Sequence, residues 1–247
     1  MSGVERETPP AGDRGREGQE SSDSVPCQNS PILPGIVGAG DGNCLLSGRT
    51  SDAVQFLQGW APEGPWVLTS IVPDGGKTDT ATFGHGDVVK MRDWIQERQG
   101  IQNLYFTVNA VTRPMNIKPK KVHIRGMRAI HVDVDPRVGE DPEAERDRAV
   151  KLLREYKPAA TVIMVSGNGV QGFWLLDNEH ATPDEATRAD AERRNLHVET
   201  LLQADACHNI DRIMRLPGTV NRPDARKRKK GRAEVLAELI EFGDSIH

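Results

Sequence analysis

Asp133 and Asp135 stand two residues apart in His131-Val132-Asp133-Val134-Asp135-Pro136. The lead-in Ala129-Ile130-His131-Val132 is apolar and β-branched, so the segment reads as a buried strand. Side chains on a strand repeat every second residue, which puts both carboxylates on one face. Two like charges so close repel and raise at least one pKa unless a cation lies between them. Mg²⁺ or Mn²⁺ suits such a pair: hard oxygen ligands are preferred, commonly one or two carboxylates with substrate phosphates. Pro136 ends the strand and leaves the pair at a sheet end. A bare D-x-D also occurs at solvated strand ends, so its meaning depends on the residues downstream of it.

Two later stretches add complementary chemistry. In Ser166-Gly167-Asn168-Gly169-Val170-Gln171 the glycines remove Cβ atoms at a strand end, which permits positive φ and lets backbone N–H groups approach a phosphate. Ser166 and Gln171 add side-chain donors there. The second stretch runs Asp211-Arg212-Ile213-Met214-Arg215-Leu216-Pro217-Gly218-Thr219-Val220-Asn221-Arg222-Pro223. Arg212 and Arg215 carry delocalised positive charge suited to phosphate oxygens. Pro217-Gly218 is a turn that could present Arg215 and Asn221 to one cleft, and Asp211 is a third candidate carboxylate. The plainer alternatives are an ordinary turn at 166–169 and a surface ion pair at Arg215, which would contribute little.

The elements that must position these residues can be read from periodicity and breakers. Residues 1–50 are rich in Gly, Pro, Ser and charge and are expected to form a disordered leader, with Ile32-Leu33 and Leu45-Leu46 as weak docking spots at most. Residues 51–247 are expected to form the folded domain. A short helix over 53–57, capped by Ser51 or Asp52, precedes a strand at 66–72 and turn chemistry at 73–76. Asp87 caps a helix to about Gln99, with Val88, Met91, Trp94 and Ile95 on one face and Gly100 ending it. A strand over 103–109 leads to a basic connection, 110–127, carrying Lys118, Lys120, Lys121 and Arg125. After the acidic strand come a helix over 141–157, a strand over 160–165, a hairpin turn at 166–169, and a strand over 170–176 in which Phe173 and Trp174 are core. A long helix over 183–202 and short apolar segments at 213–216 and 235–240 complete the pattern. Interleaved helices and strands with a hairpin give an α+β or mixed class.

Composition narrows the field. The 247 residues carry a net charge of -4, so the whole molecule is not a basic nucleic-acid binder. Residues 222–232 nevertheless hold seven Lys/Arg and one acid. Arg226, Lys227, Arg228, Lys229 and Lys230 read as a solvated, flexible run that could grip nucleic-acid backbone. Aromatic content of 4% argues against an extended base-stacking platform. No apolar run approaches the roughly 18–20 residues needed to cross a bilayer. No signal-peptide pattern opens the chain. Cys27, Cys44 and Cys207 are too few and scattered for a disulfide framework or zinc site, and a reduced, cytoplasmic setting is expected.

In order, D-x-D, then S-G-x-G before a strand, then D-R-x-x-R-L-P-G-T-x-N-x-P with a basic tail, the chain resembles the RepB-like branch of the archaeo-eukaryotic primase superfamily. These are primase–polymerase domains of plasmid, phage and mobile-element replication proteins. Arg215-Leu216-Pro217-Gly218-Thr219 with Asn221 is the most specific part, and the resemblance covers residues 52–235. It implies an α+β primase–polymerase fold, an N-terminal α/β part plus an RRM-like part with the acidic site between them. It also implies template-directed nucleotidyl transfer on single-stranded DNA with nucleoside triphosphates and Mg²⁺ or Mn²⁺. Asp133, Asp135 and Asp211 would be the metal-binding catalytic acids, with Asp205 the runner-up for the third. Ser166, Gly167, Gly169, Gln171, Arg212, Arg215 and Asn221 would contact the nucleotide. Arg226 to Lys230 would contact DNA. Gln171 stands where the superfamily typically has histidine; it keeps a donor but cannot carry charge or shuttle a proton. A weakened module that only binds single-stranded DNA or nucleotides, and a metal-dependent nuclease, are the alternatives. His131 is expected to be a packed strand residue. No G-x-x-x-x-G-K-[ST] loop is present, so unwinding would fall to a separate helicase or one in a missing part.

Overall fold

The computed structural model describes residues 48–246. The expected leader through residue 47, its two docking spots, Cys27 and Cys44 lie outside the described residues. The folded part begins slightly earlier than the expected boundary. Helix α1 spans Thr50–Trp60, and the Thr50 hydroxyl donates to Gln96 Oε1 at 2.7 Å. Its buried positions Ala53, Val54, Phe56, Leu57 and Trp60 form one apolar stripe.

Two antiparallel sheets position everything else. The first has the order β2-β1-β3-β8, with β1 Trp66–Ile71, β2 Thr78–Phe83, β3 Asn103–Thr107 and β8 Ile213–Arg215. The second has the order β11-β6-β7-β5-β4, with β4 Ala110–Val111, β5 Ile124–Val134, β6 Val162–Val165, β7 Val170–Ala181 and β11 Glu238–Phe242. A small ribbon pairs β9 Val220–Asn221 with β10 Val235–Leu236. Helix α2 is Val88–Arg98, α3 Pro142–Glu155, α4 Glu185–Leu202 and α5 Ala225–Lys229.

The class is α+β, and the core explains it. Phe106 of β3 and Phe173 of β7 belong to different sheets, yet their rings lie 6.0 Å apart. Trp60 meets both, at 5.0 and 5.1 Å. The opposite face of the second sheet is covered by α3 and α4, where Val132, Val134, Ile163, Val165 and Trp174 pack on Ala149, Leu153, Val198 and Leu202. Phe173 and Trp174 are thus both core. Asp141 caps α3 by accepting from Ala144 N at 2.8 Å, and Asp184 caps α4 by accepting from Thr187 N at 2.9 Å. Among the described residues no helix is long and apolar enough to cross a membrane.

Four local expectations need correction. β2 was not foreseen: Thr78-Asp79-Thr80-Ala81-Thr82-Phe83 is too polar to read as a strand, but it is an edge strand. Its Thr80 hydroxyl lies 3.1 Å from that of Thr69 in the interior. The expected connection 110–127 contains β4 and the start of β5, because Ile124 and Met127 are buried between cations that mask the alternation. β7 continues five residues beyond Leu176, to Ala181. The basic run is a short helix, because Asp224 accepts from Lys227 N at 2.8 Å and caps it.

Candidate active site

β5 delivers the acidic pair at its C-terminal end. Asp133 is the ladder partner of Gln171 on β7, and Asp135 lies just beyond the last pair, Val134 with Val170. Asp133 is half-buried, and its Oδ1 is sealed from solvent without a hydrogen-bond partner. Burial, then the Asp135 charge, push its pKa up to about 6, against the pull of Arg212 and Gln171. The Asp135 pKa is also raised, by desolvation and then by Asp205, while Arg232 and Lys227 offset part of that rise.

Asp205, not Asp211, is the acid that the chain brings against this pair. Helix α4 ends at Gln203 in the left-handed region (φ 52), which turns the chain back toward β5. The Asp205 N–H donates to the Asp133 carbonyl, and Asp205 Oδ2 accepts from the Asp135 N–H, both at 2.8 Å. Asp211 sits half-buried in the turn before β8, and none of these contacts involves its carboxylate.

The glycine turn packs directly on the acids. A Cβ at Gly169 would lie 2.6 Å from Asp135 Oδ1 and 3.0 Å from the Val134 carbonyl oxygen, so a larger residue there would displace the Asp135 carboxylate. Gly167 adopts φ +126, and a Cβ there would lie 2.5 Å from Asn221 Nδ2. The Ser166 hydroxyl donates to the Gly169 carbonyl at 3.1 Å and so closes the turn, rather than standing free for a phosphate. Gln171 differs from expectation too. It is buried, and its Oε1 accepts from the Arg215 backbone N–H at 3.2 Å. It is also the ladder neighbour of Asp133 and pulls that pKa down slightly against the larger effect of burial. Gln171 therefore bridges the two sheets and points inward.

Arg215 is where the motifs meet. Its Nη2 donates to Tyr105 Oη at 2.9 Å and to Asn221 Oδ1 at 2.8 Å. Asn221 in turn donates to the Ser166 carbonyl at 2.8 Å. Burial lowers the Arg215 pKa, and its Nη1 is buried with no acceptor. The Arg212 guanidinium has no hydrogen bond or ion pair among the described residues, and its charge acts on Asp133. Asp133 Oδ1 and Arg215 Nη1 are thus both sealed from solvent without a hydrogen-bond partner, which is unusual for buried polar atoms.

Gly218 holds this arrangement in place. Its carbonyl accepts from Arg49 N at 2.7 Å and Gln99 Nε2 at 2.9 Å, and its N–H donates to the Ala237 carbonyl at 2.8 Å. Gln99 Oε1 accepts from Val220 N at 3.1 Å.

No protein-family model matches the chain, and neither does any curated protein. Solved structures similar to it in three dimensions include two that are informative. One is the AEP domain of the Cyanophage S-2L primase–polymerase, with TM-score 0.53 and 14% identity over 79% of this chain and 92% of that one. This chain has the primase–polymerase fold. Primase RepB′ is similar at TM-score 0.50 and 15% identity, over 80% of this chain; the match spans 58% of the RepB′ chain.

Within the primase–polymerase fold, the remaining candidate side chains are placed as follows, with His131 packed in its strand as expected. His131 is buried and packed: its Nε2 lies 3.0 Å from the Cys207 carbonyl, and burial pushes its pKa down to about 4. Burial likewise pushes the Cys207 thiol up to about 12, which leaves it unreactive. In α5, Arg228 donates to Asp74 and to the Pro223 carbonyl, at 2.8 and 2.7 Å, and so anchors the helix on the β1–β2 turn. Arg226, Lys227, Lys229 and Lys230 are exposed and make no ion pair among the described residues. Sequence reasoning missed Tyr105, Gln99 and Arg232. The register of Tyr105 opposite Arg215 was the only signal for the first, and it becomes visible only once β3 and β8 are paired.

Proposed function

We propose that this chain is a metal-dependent nucleotidyltransferase that makes or extends primers on single-stranded DNA. The observation that carries it is the acid pair at the end of β5, with Asp133 Oδ1 orphaned and its pKa raised to about 6, beside the buried, anion-free Arg215. Among the described residues no three Asp, Glu, His or Cys side chains converge into a ready-made metal cluster. The donor set still fits Mg²⁺ or Mn²⁺, which needs only one or two carboxylates when substrate oxygens complete its shell. Asp133 and Asp135 would hold it, with Asp205 in the third-acid role expected of Asp211. When bound, the cation stabilises charge on the attacking and leaving oxygens of an in-line displacement. Gln171 holds the Asp133 carboxylate in register with the strand that carries Arg215. Arg215 and Arg212 take phosphate oxygens, and Lys227 and Arg232 place positive charge beside Asp135.

The deciding assay supplies the chain with nucleoside triphosphates, Mn²⁺ and a single-stranded template. Lengthened or new product supports the reading. Template bound without incorporation would favour a binding module, and template loss without nucleotides a nuclease.

Two further results are expected. Protonation of Asp133 competes with the cation, so Mn²⁺ affinity, followed by calorimetric titration, is steady above pH 7. It should fall by up to about tenfold per pH step below about 6. The second concerns α5. Joint Lys229→Ala and Lys230→Ala substitution should lower the slope of log DNA affinity against log salt by about 1.4, at about 0.7 per phosphate contact on single strands. Arg228→Ala, whose guanidinium is already engaged on Asp74, should change that slope by less than one contact's worth.

A further inference from the structure

Arg215 is a buried cation whose hydrogen-bond acceptors are neutral, with the Asp133 carboxylate acting on it only through space. Its side chain carries no ion pair among the described residues, and its two hydrogen-bond acceptors are a phenol oxygen and an amide oxygen. Burying a guanidinium without a directly paired counter-charge is costly, and an unpartnered nitrogen on it adds to that cost. Something must hold the group where water cannot stabilise it. Tyr105 does so in two ways. Its ring stacks on the guanidinium, with Cζ 4.2 Å from the ring centroid, which fixes the plane. Its hydroxyl oxygen accepts from Nη2. Because Asn221 accepts from the same nitrogen, both neutral acceptors lie on one side and Nη1 is left over. The pairing is built into the fold: Tyr105 and Arg215 are cross-strand partners in the β3–β8 ladder.

We propose that Tyr105 is a positioning residue that holds Arg215 with Nη1 reserved for a polyphosphate oxygen. The inference rests on the nucleotidyltransferase reading and adds to it a residue outside the three motifs. Tyr105 touches no reacting atom in this account; it acts through Arg215 alone. Its removal should therefore weaken binding of the anion, and it should have no further effect once the Arg215 charge is gone.

The test measures inorganic tripolyphosphate binding by calorimetry, with Mg²⁺ present, for the full chain and for Tyr105→Phe, Tyr105→Leu, Arg215→Gln and the Tyr105→Leu/Arg215→Gln double variant. Tyr105→Leu is expected to lose about tenfold in affinity, Tyr105→Phe less because the stacked ring remains, and the double variant no more than Arg215→Gln alone. Melting temperature and far-ultraviolet circular dichroism check that each variant is folded; Tyr105→Phe, the smallest change, keeps the test usable if Tyr105→Leu is not. Under turnover the loss should appear in KM rather than kcat. Unchanged affinity in both Tyr105 variants, or losses that simply add in the double variant, would overturn the proposal while leaving the broader function intact. A wild-type chain that binds neither tripolyphosphate nor nucleotide would remove both.

Discussion

Asp133→Asn is expected to abolish nucleotide incorporation and at the same time raise the melting temperature of the metal-free protein. The two effects share one cause. In the folded chain the Asp133 pKa rises from 3.8 to about 6, through burial first and the Asp135 charge second. A carboxylic acid whose folded pKa lies above its unfolded one is penalised wherever it is ionised. The penalty is absent below pH 4 and fully present above about 6. At neutral pH it amounts to at most about 3 kcal/mol, at about 1.4 kcal/mol per tenfold in the proton equilibrium. Asparagine has nearly the same shape and no charge. The bridge between sheets, from the Arg215 backbone N–H to Gln171 Oε1, does not depend on this carboxylate and should survive. What asparagine cannot do is bind a hard cation tightly. Losing several kcal/mol of charge stabilisation corresponds to a drop of at least about a thousandfold in rate. Differential scanning with and without Mn²⁺ separates the two effects. The wild type should gain stability from the ion; the variant should start higher and gain little. A variant that extends primers at the wild-type rate would remove Asp133 from the catalytic set.

Gly218→Ala should be the most damaging single methyl group near the site. Gly218 sits at φ +77, where an alanine costs about 1–2 kcal/mol. A Cβ there would also lie 2.5 Å from the Arg49 carbonyl oxygen and 2.8 Å from Ala53 N, both backbone atoms at the start of α1. Backbone cannot swing aside as a side chain can, so overpacking adds about 1–3 kcal/mol. The total, about 2–5 kcal/mol, should lower the melting temperature by roughly 5–20 °C in a domain of this size. Gly75→Ala is the matched control: φ is +80, but a Cβ meets nothing within 4 Å, so only the backbone term of about 1–2 kcal/mol applies. Equal losses at the two positions in chemical denaturation would show that the close approach to α1 contributes nothing. Gly218→Ala should also reduce incorporation by the surviving folded fraction, because the displaced turn carries Arg215 on one side and Asn221 on the other.

How much was legible in the sequence depends on the range of the interactions. The Asp133/Asp135 spacing, the 166–169 turn and the Pro217-Gly218 turn are local, and the structure has each in the expected element. Which of Asp205 and Asp211 packs against the acid pair is not local. It depends on how α4 ends at Gln203, an αL residue with no glycine to announce it, and on the subsequent turn back to β5. The direction of Gln171 was concealed for a similar reason. Its partners are a ladder neighbour and a strand of the other sheet, 44 positions along the chain. β2 was missed because an edge strand needs only one buried face, and its Thr80 and Thr82 find partners in Thr69 of β1 and the Met115 backbone. The basic run looked structureless because its cap, Asp224, is a single residue outside the charge block.

Asp133 and Arg215 stand on different sheets, and hydrocarbon fills the space between those sheets. Phe106, Phe173, Phe56 and Trp60 act as spacers: three of their contacts are edge to face at 5.0 to 5.1 Å, and Phe106 lies tilted to Phe173 at 6.0 Å. The spacing of the two sheets that carry the acid and the cation thus depends on ring volume as well as on the Gln171 bridge to Arg215. Reactivity could drift over evolutionary time by exchange of one ring for a smaller one, with every polar residue of the site unchanged.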